Sequence, residues 1–168
     1  DGEWEDVLRA YKAGVRLATH FTNAMSMLRK DREFKKVGVV ESVFALEDFN
    51  VEVISDGIHV PPVLMREIYN AKGVDHMCFI TDSLAVSAIE QGSDVDHSII
   101  DPRTIIEDGV CKLKDRSALA GSISTMDRLV RTAVQQAGIP MADACRMIGE
   151  MPARFMGIDD RKGFIKNG

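Results

Sequence analysis

The sequence is poor in the features that would send it out of the cytoplasm or onto nucleic acid. Its three cysteines, Cys78, Cys111 and Cys145, lie far apart, are odd in number and form no CxxC pair. That excludes a zinc ribbon, and it fits a reduced cytoplasmic interior better than a disulfide framework. No apolar run approaches the roughly 20 residues that span a bilayer. The first residues, Asp1-Gly2-Glu3-Trp4, carry neither the basic nor the apolar region of a signal peptide. No Lys/Arg stripe stands out, and the net charge of −5 with a pI near 5.4 argues against a nucleic-acid surface. Internal repeats and low-complexity runs are also missing. These absences predict a cytoplasmic globular chain with neither nucleic acid nor membrane as partner. An anionic small molecule stays open, because one local arginine is enough to hold it.

The chain is long enough, at 168 residues with 45% hydrophobic content, to bury its own core in one domain. Trp4, Val7, Leu8 and Tyr11 fall at i, i+3, i+4 and i+7, which predicts an amphipathic helix over 3–13 that Gly14 stops in a left-handed cap. An apolar strand over 15–18 follows and delivers His20 to its C-terminal end. Arg29, Lys30, Arg32, Lys35 and Lys36 then form a basic cluster, expected as a solvated loop or helix face. One of its arginines could clamp an oxyanion through the planar guanidinium fork.

A short helix is expected within 37–46 and a second strand over 51–54, ending in Asp56 and His59. Pro61-Pro62 opens a helix with Leu64, Met65, Ile68 and Ala71 on one face, and Gly73 closes it. The third strand, 77–80, ends in Asp82. Three strand-then-helix units thus each place an ionisable residue just past the strand, the edge where parallel α/β folds bind ligands. From about 92 to 114 the pattern turns β-branched, and Asp108-Gly109 between short apolar runs predicts an antiparallel hairpin. His76 and His97 read as surface histidines. Ser124 and Asp127 suggest a capping box for a helix that ends at Gly138, and two short helices follow over 141–149 and 152–157. Residues 158–168 begin another strand.

A single histidine on an apolar strand is more often a core group bonded to a carbonyl than a ligand. His20, His59 and Asp82 at one sheet edge point further, to a metal-dependent hydrolase. Imidazole binds a divalent cation that acidifies water, and Asp82 would take the proton and pass it to the leaving group.

The ordered set Thr19-His20-x-x-Asn23-Ala24-Met25, Ser55-Asp56-Gly57-Ile58-His59-Val60, Thr81-Asp82, Leu119-Ala120-Gly121-Ser122-x-x-Thr125-Met126 and Pro152-Ala153-Arg154 resembles the N-acetylglucosamine-6-phosphate deacetylases of the amidohydrolase superfamily. The resemblance implies an α/β fold, the C-terminal portion of a (β/α)8 metal-dependent hydrolase barrel over 1–157, with the small antiparallel excursion inserted and 158–168 leading towards a β-sandwich. It implies removal of acetate from a sugar phosphate. In that reading His20 is a metal ligand, for zinc or iron, and Asp82 is the general acid/base. Asn23, Ala24 and Arg32 would meet the phosphate, His59 the sugar, and Leu119, Ala120 and Gly121 the acetyl pocket. A homodimer of whole chains is also implied.

The family's apolar-then-aromatic pair is replaced by Phe21-Thr22, its Arg-Glu pair sits one residue later as Arg32-Glu33, and Ser83 to Ala88 matches its Ala/Gly-rich loop loosely. The family's earlier metal ligands, a glutamate and another histidine, have no counterpart, so the chain is expected to be incomplete and impaired alone. Two alternatives accompany this expectation: a non-catalytic fragment that binds a phosphosugar or self-assembles, and a related amidohydrolase acting on another cyclic amide.

Overall fold

A computed structural model describes residues 2–87 and 101–165. Helix α1, Trp4–Lys12, ends as its sequence requires. Gly14 takes φ 102°, its amide donates to the Tyr11 carbonyl, and the Val15 amide donates to Ala10. That paired closure is the left-handed C-terminal motif that glycine enters without steric cost.

The chain then builds a three-stranded parallel sheet in the order β1 (Leu17–Ala18), β4 (Asn50–Val53), β5 (Met77–Phe79). Ala18 pairs with Val51, and Val53 with Phe79. All three residues of β5 are buried, as expected for a parallel strand covered on both faces. Helix α2 (Val39–Ala45) lies between β1 and β4, and helix α3 (Pro62–Lys72) between β4 and β5. Pro62 fits the first turn of α3, where no intrahelical partner is needed for its missing N–H. Lys72, at the other end of α3, is buried and donates to the Val43 and Leu46 carbonyls at 2.6 and 2.7 Å. It thereby adds a second donor to carbonyls at the end of α2 that already accept the Leu46 amide at 3.4 Å and the Phe49 amide at 3.1 Å.

Between β1 and α2 the structure differs from expectation. The basic cluster is a hairpin, β2 (Arg29–Asp31) with β3 (Phe34–Lys36), turning through Arg32 and Glu33. Five of its six strand residues are exposed and the sixth is half-buried, so there is no inward face to write an alternating pattern.

After β5, strands β6 (Thr104–Glu107) and β7 (Val110–Leu113) form the hairpin around Asp108 and Gly109, both with positive φ. The first part of the expected segment, 92–100 with His97, falls among residues 88–100, which lie outside the described residues. A small cluster of Val86, Cys111 and Ile123, with Leu84, Ile106 and Ala120 against it, seats the hairpin.

Helices α4 (Met126–Gln135), α5 (Met141–Ile148) and α6 (Glu150–Phe155) complete the described chain. The N-cap of α4 is Thr125 rather than Ser124; the Thr125 hydroxyl donates to Asp127 at 2.6 Å, and Ser124 is buried one residue earlier. α5 and α6 pack on β5, and the main core joins Val51, Val53, Met77 and Phe79 of the sheet to Met65, Ile68, Ala133 and Met147 of the helices. Residues 158–165 run in turns and irregular backbone, and 166–168 lie outside the described residues.

Candidate functional site

The C-terminal edge of the parallel sheet gathers the polar residues, and the path begins with a hydrophobic anchor. Phe21 is fully buried, its ring edge-on to Phe44 with centroids 5.2 Å apart, and its amide donates to the Glu52 carbonyl at 2.7 Å. This anchor extends the β1–β4 ladder by one bond and forces the residues around it into a tight turn. His20, Thr22 and Ala24 all take positive φ, 35°, 77° and 53°. A β-branched threonine in that region is strained, at about 1–3 kcal/mol for such a residue.

The turn leaves His20 half-buried with its Nδ1 enclosed and unpartnered among the described residues. The bland expectation of a carbonyl-bonded core histidine therefore fails. An enclosed ring nitrogen without a protein partner fits a group supplied from outside the chain, such as a cation. Asn23 lies in the same turn; its amide donates to the His20 carbonyl at 2.9 Å and its side chain to the Phe21 carbonyl at 3.4 Å. Ala24 is exposed beside it. Arg32 is at the tip of the β2–β3 hairpin, exposed, with φ 55°.

Past the end of the neighbouring strand β4, Asp56 and His59 form a closed pair. The Asp56 side chain is wholly buried and that of His59 only 5% exposed, with His59 Nδ1 2.7 Å from Asp56 Oδ2. The other carboxylate oxygen accepts the Ile58 and His59 amides, each at 2.8 Å. Burial alone would push the Asp56 carboxyl up, but the His59 ring and the two amides outweigh it and hold it below the ordinary value. The role of Asp56 was missed by sequence reasoning, although the Asp-x-x-His spacing was visible.

Asp82 ends the third strand with φ 46°, and its exposed carboxylate has no hydrogen-bond or ion-pair partner among the described residues. The segment after it is stitched to the loop that holds Leu119, Ala120 and Gly121. The Ser122 amide donates to the Asp82 carbonyl at 3.2 Å, and the Leu84 amide to Ser122 at 2.9 Å. Gly121, at φ 110°, lies so close to Leu84 that a Cβ there would be 3.0 Å from its side chain. Leu119 is exposed and Ala120 half-buried. Ser55, which the sequence offers only as part of a motif, and Ser124, which it offers as a helix cap, have buried hydroxyls without partners among the described residues. His76, expected at the surface, is half-buried and bonded to Asn50 at 2.9 Å. The structure thus puts His20, His59 and Asp82 at successive strand ends and draws the 119–121 loop to Asp82.

The amidohydrolase family matches over residues 1–168. The chain belongs to the amidohydrolase family. It is 33% identical over 165 residues to the N-acetylglucosamine-6-phosphate deacetylase of Haemophilus influenzae, a match that covers 98% of this chain and 42% of that protein. It is 30% identical over 156 residues to an N-acetylgalactosamine-6-phosphate deacetylase of a Shewanella species, covering 93% of this chain and 38% of that one. The crystal structure of the N-acetylglucosamine-6-phosphate deacetylase from Pasteurella multocida superposes with a TM-score of 0.83 at 31% identity, over 99% of this chain and 42% of that one. The chain therefore spans well under half the length of these relatives, and its three parallel strands are a portion of the amidohydrolase barrel.

Amidohydrolases generally depend on a divalent metal. His20, with its unpartnered Nδ1, fits as one ligand. Among the described residues no group of three or more His, Cys, Asp and Glu could hold an ion.

Proposed function

We propose that this amidohydrolase chain carries the C-terminal part of the active centre of a metal-dependent deacetylase that removes acetate from N-acetylglucosamine 6-phosphate. The observation that carries the reading is the placement, at the ends of strands of one sheet, of two groups without partners among the described residues, the His20 ring Nδ1 and the Asp82 carboxylate.

In this reading His20 holds a zinc or iron ion together with ligands beyond the described residues. A bound divalent cation supplies water of lowered pKa. Asp82 would take a proton from the attacking water as the water oxygen bonds to the acetyl carbon, and would deliver it to the amine nitrogen as the amide carbon–nitrogen bond breaks; a carboxylate without partners among the described residues is suited to both transfers. Asn23, the Ala24 backbone and Arg32 hold the phosphate, His59 a sugar hydroxyl, and Leu119, Ala120 and Gly121 line the acetyl pocket. The assembly is a homodimer of complete chains in the cytoplasm.

Two assays test this. The isolated chain, given zinc or iron, releases little acetate from N-acetylglucosamine 6-phosphate, and robust turnover would overturn the need for further ligands. The same chain exchanged for the matching segment of the Haemophilus enzyme releases acetate, and His20→Ala abolishes both that release and cation uptake. Activity unchanged by His20→Ala sinks the reading. The Shewanella relative's name favours a second reading, in which the substrate is N-acetylgalactosamine 6-phosphate. The ratio of kcat/KM for the two epimers decides between them.

A further inference from the structure

The Asp56–His59 pair is too well built to be incidental packing, and nothing in the proposed chemistry yet uses the carboxylate. Both side chains are almost entirely enclosed, at 0% and 5% exposure. All the hydrogen bonds around Asp56 run towards it: the Ile58 amide and the His59 amide to Oδ1, and the His59 ring to Oδ2. The two amides immobilise the carboxylate, since rotating it would leave a buried N–H unpaired. An ionised carboxylate only accepts, so the ring nitrogen that faces it carries the hydrogen.

We propose that Asp56 is a positioning residue that locks His59 in its Nδ1–H tautomer, so that Nε2 presents a lone pair as a hydrogen-bond acceptor for a hydroxyl of the phosphosugar. The choice of hydroxyl as ligand rests on the deacetylase reading; the tautomer rests on the geometry alone. The consequence is a site that selects for a donor at that position. An acceptor there would face a ring nitrogen that carries no hydrogen to donate in the neutral form.

The test is the nitrogen-15 spectrum of the His59 ring in the whole chain, with His59→Gln used to assign it. The pH is held about two units above the ordinary imidazole value of about 6.5. The wild type should show a protonated Nδ1 and a bare Nε2. Asp56→Asn keeps one oxygen for the two amides and turns its NH2 to the ring, so the proton should move to Nε2. A wild-type ring protonated at Nε2, or a folded Asp56→Asn protein whose ring stays Nδ1–H, overturns the proposal. The wild-type spectrum decides even where the variant does not fold.

In the chimaera with the Haemophilus segment, Asp56→Asn should weaken binding of N-acetylglucosamine 6-phosphate about tenfold, and should have no further effect once His59 is Gln. Equal weakening in both backgrounds overturns the positioning role. A chain with the expected tautomer that takes up no phosphosugar upholds that role and sinks the sugar-binding reading.

Discussion

The strand-end edge and the helical layer behind the sheet are built on opposite terms. Of the seven non-glycine residues with positive φ among the described residues, four sit at the edge, His20, Thr22, Ala24 and Asp82, and none lies within α4, α5 or α6. The layer pairs its charges. Arg146 binds Glu150 at 2.8 Å and Asp75 at 2.7 Å, Arg154 reaches Glu150 at 2.7 Å, and the Tyr69 hydroxyl donates to Asp143 at 2.6 Å. The edge, in contrast, leaves the His20 ring Nδ1 and the Ser55 hydroxyl buried without partners among the described residues. The contrast teaches where stability is made and where it is spent: strain and unsatisfied groups persist only where surrounding packing over-determines them.

The largest effect expected from this contrast is in the layer. Leu129 in α4 is fully buried, and Leu129→Ala should lower the unfolding free energy by about 3 kcal/mol, read as a lower urea midpoint at unchanged slope. A loss no larger than that of an exposed site would show that the layer does not carry the fold.

A substitution at the edge should act in the other direction. Thr22→Gly removes the cost of φ 77° on a β-branched residue and should raise stability by about 1 kcal/mol after the extra chain entropy of glycine is subtracted. Clear destabilisation in the same denaturation series would mean that the turn is not strained.

The smallest effect is electrostatic and depends on pH. The Arg146 hydrogen bonds hold the Glu150 and Asp75 carboxyls below their ordinary values. Their folded pKa values lie below the unfolded ones, so in acid the unfolded chain binds more protons. The stabilisation is therefore present above the unfolded carboxylate value and is lost as pH falls through the folded one. Arg146→Met should flatten that acid limb of the stability curve and reduce its sensitivity to salt. An acid limb identical to wild type would remove these pairs from the account.

What could be read in the residues follows the same division. The helices carry a buried stripe, so the spacing of Trp4, Val7 and Tyr11, or of Leu129 and Ala133, places α1 and α4 within a residue or two of where they lie. Asp108-Gly109 announces its hairpin because the turn demands positive φ at both positions. The β2–β3 hairpin announces nothing, because its residues are solvated on both faces. The cap of α4 was misplaced by one residue because Ser124 and Thr125 are both able caps, and only the buried position of Ser124 separates them. At the edge, residue types and order were legible. The enclosure of the His20 ring and the stitching of the 119–121 loop to Asp82 depend on contacts between segments that no local pattern records; the Asp56–His59 pair is bonded locally, and only its burial comes from the rest of the fold.

The most direct test of the edge as a reaction centre is acetate release from N-acetylglucosamine 6-phosphate by the chimaera carrying Asp82→Asn, with its urea midpoint measured alongside. The expected result is a loss of about 10²–10⁴-fold in kcat, with phosphosugar binding and stability close to wild type. Full activity in the folded variant would contradict it and take the proton-transfer role away from Asp82.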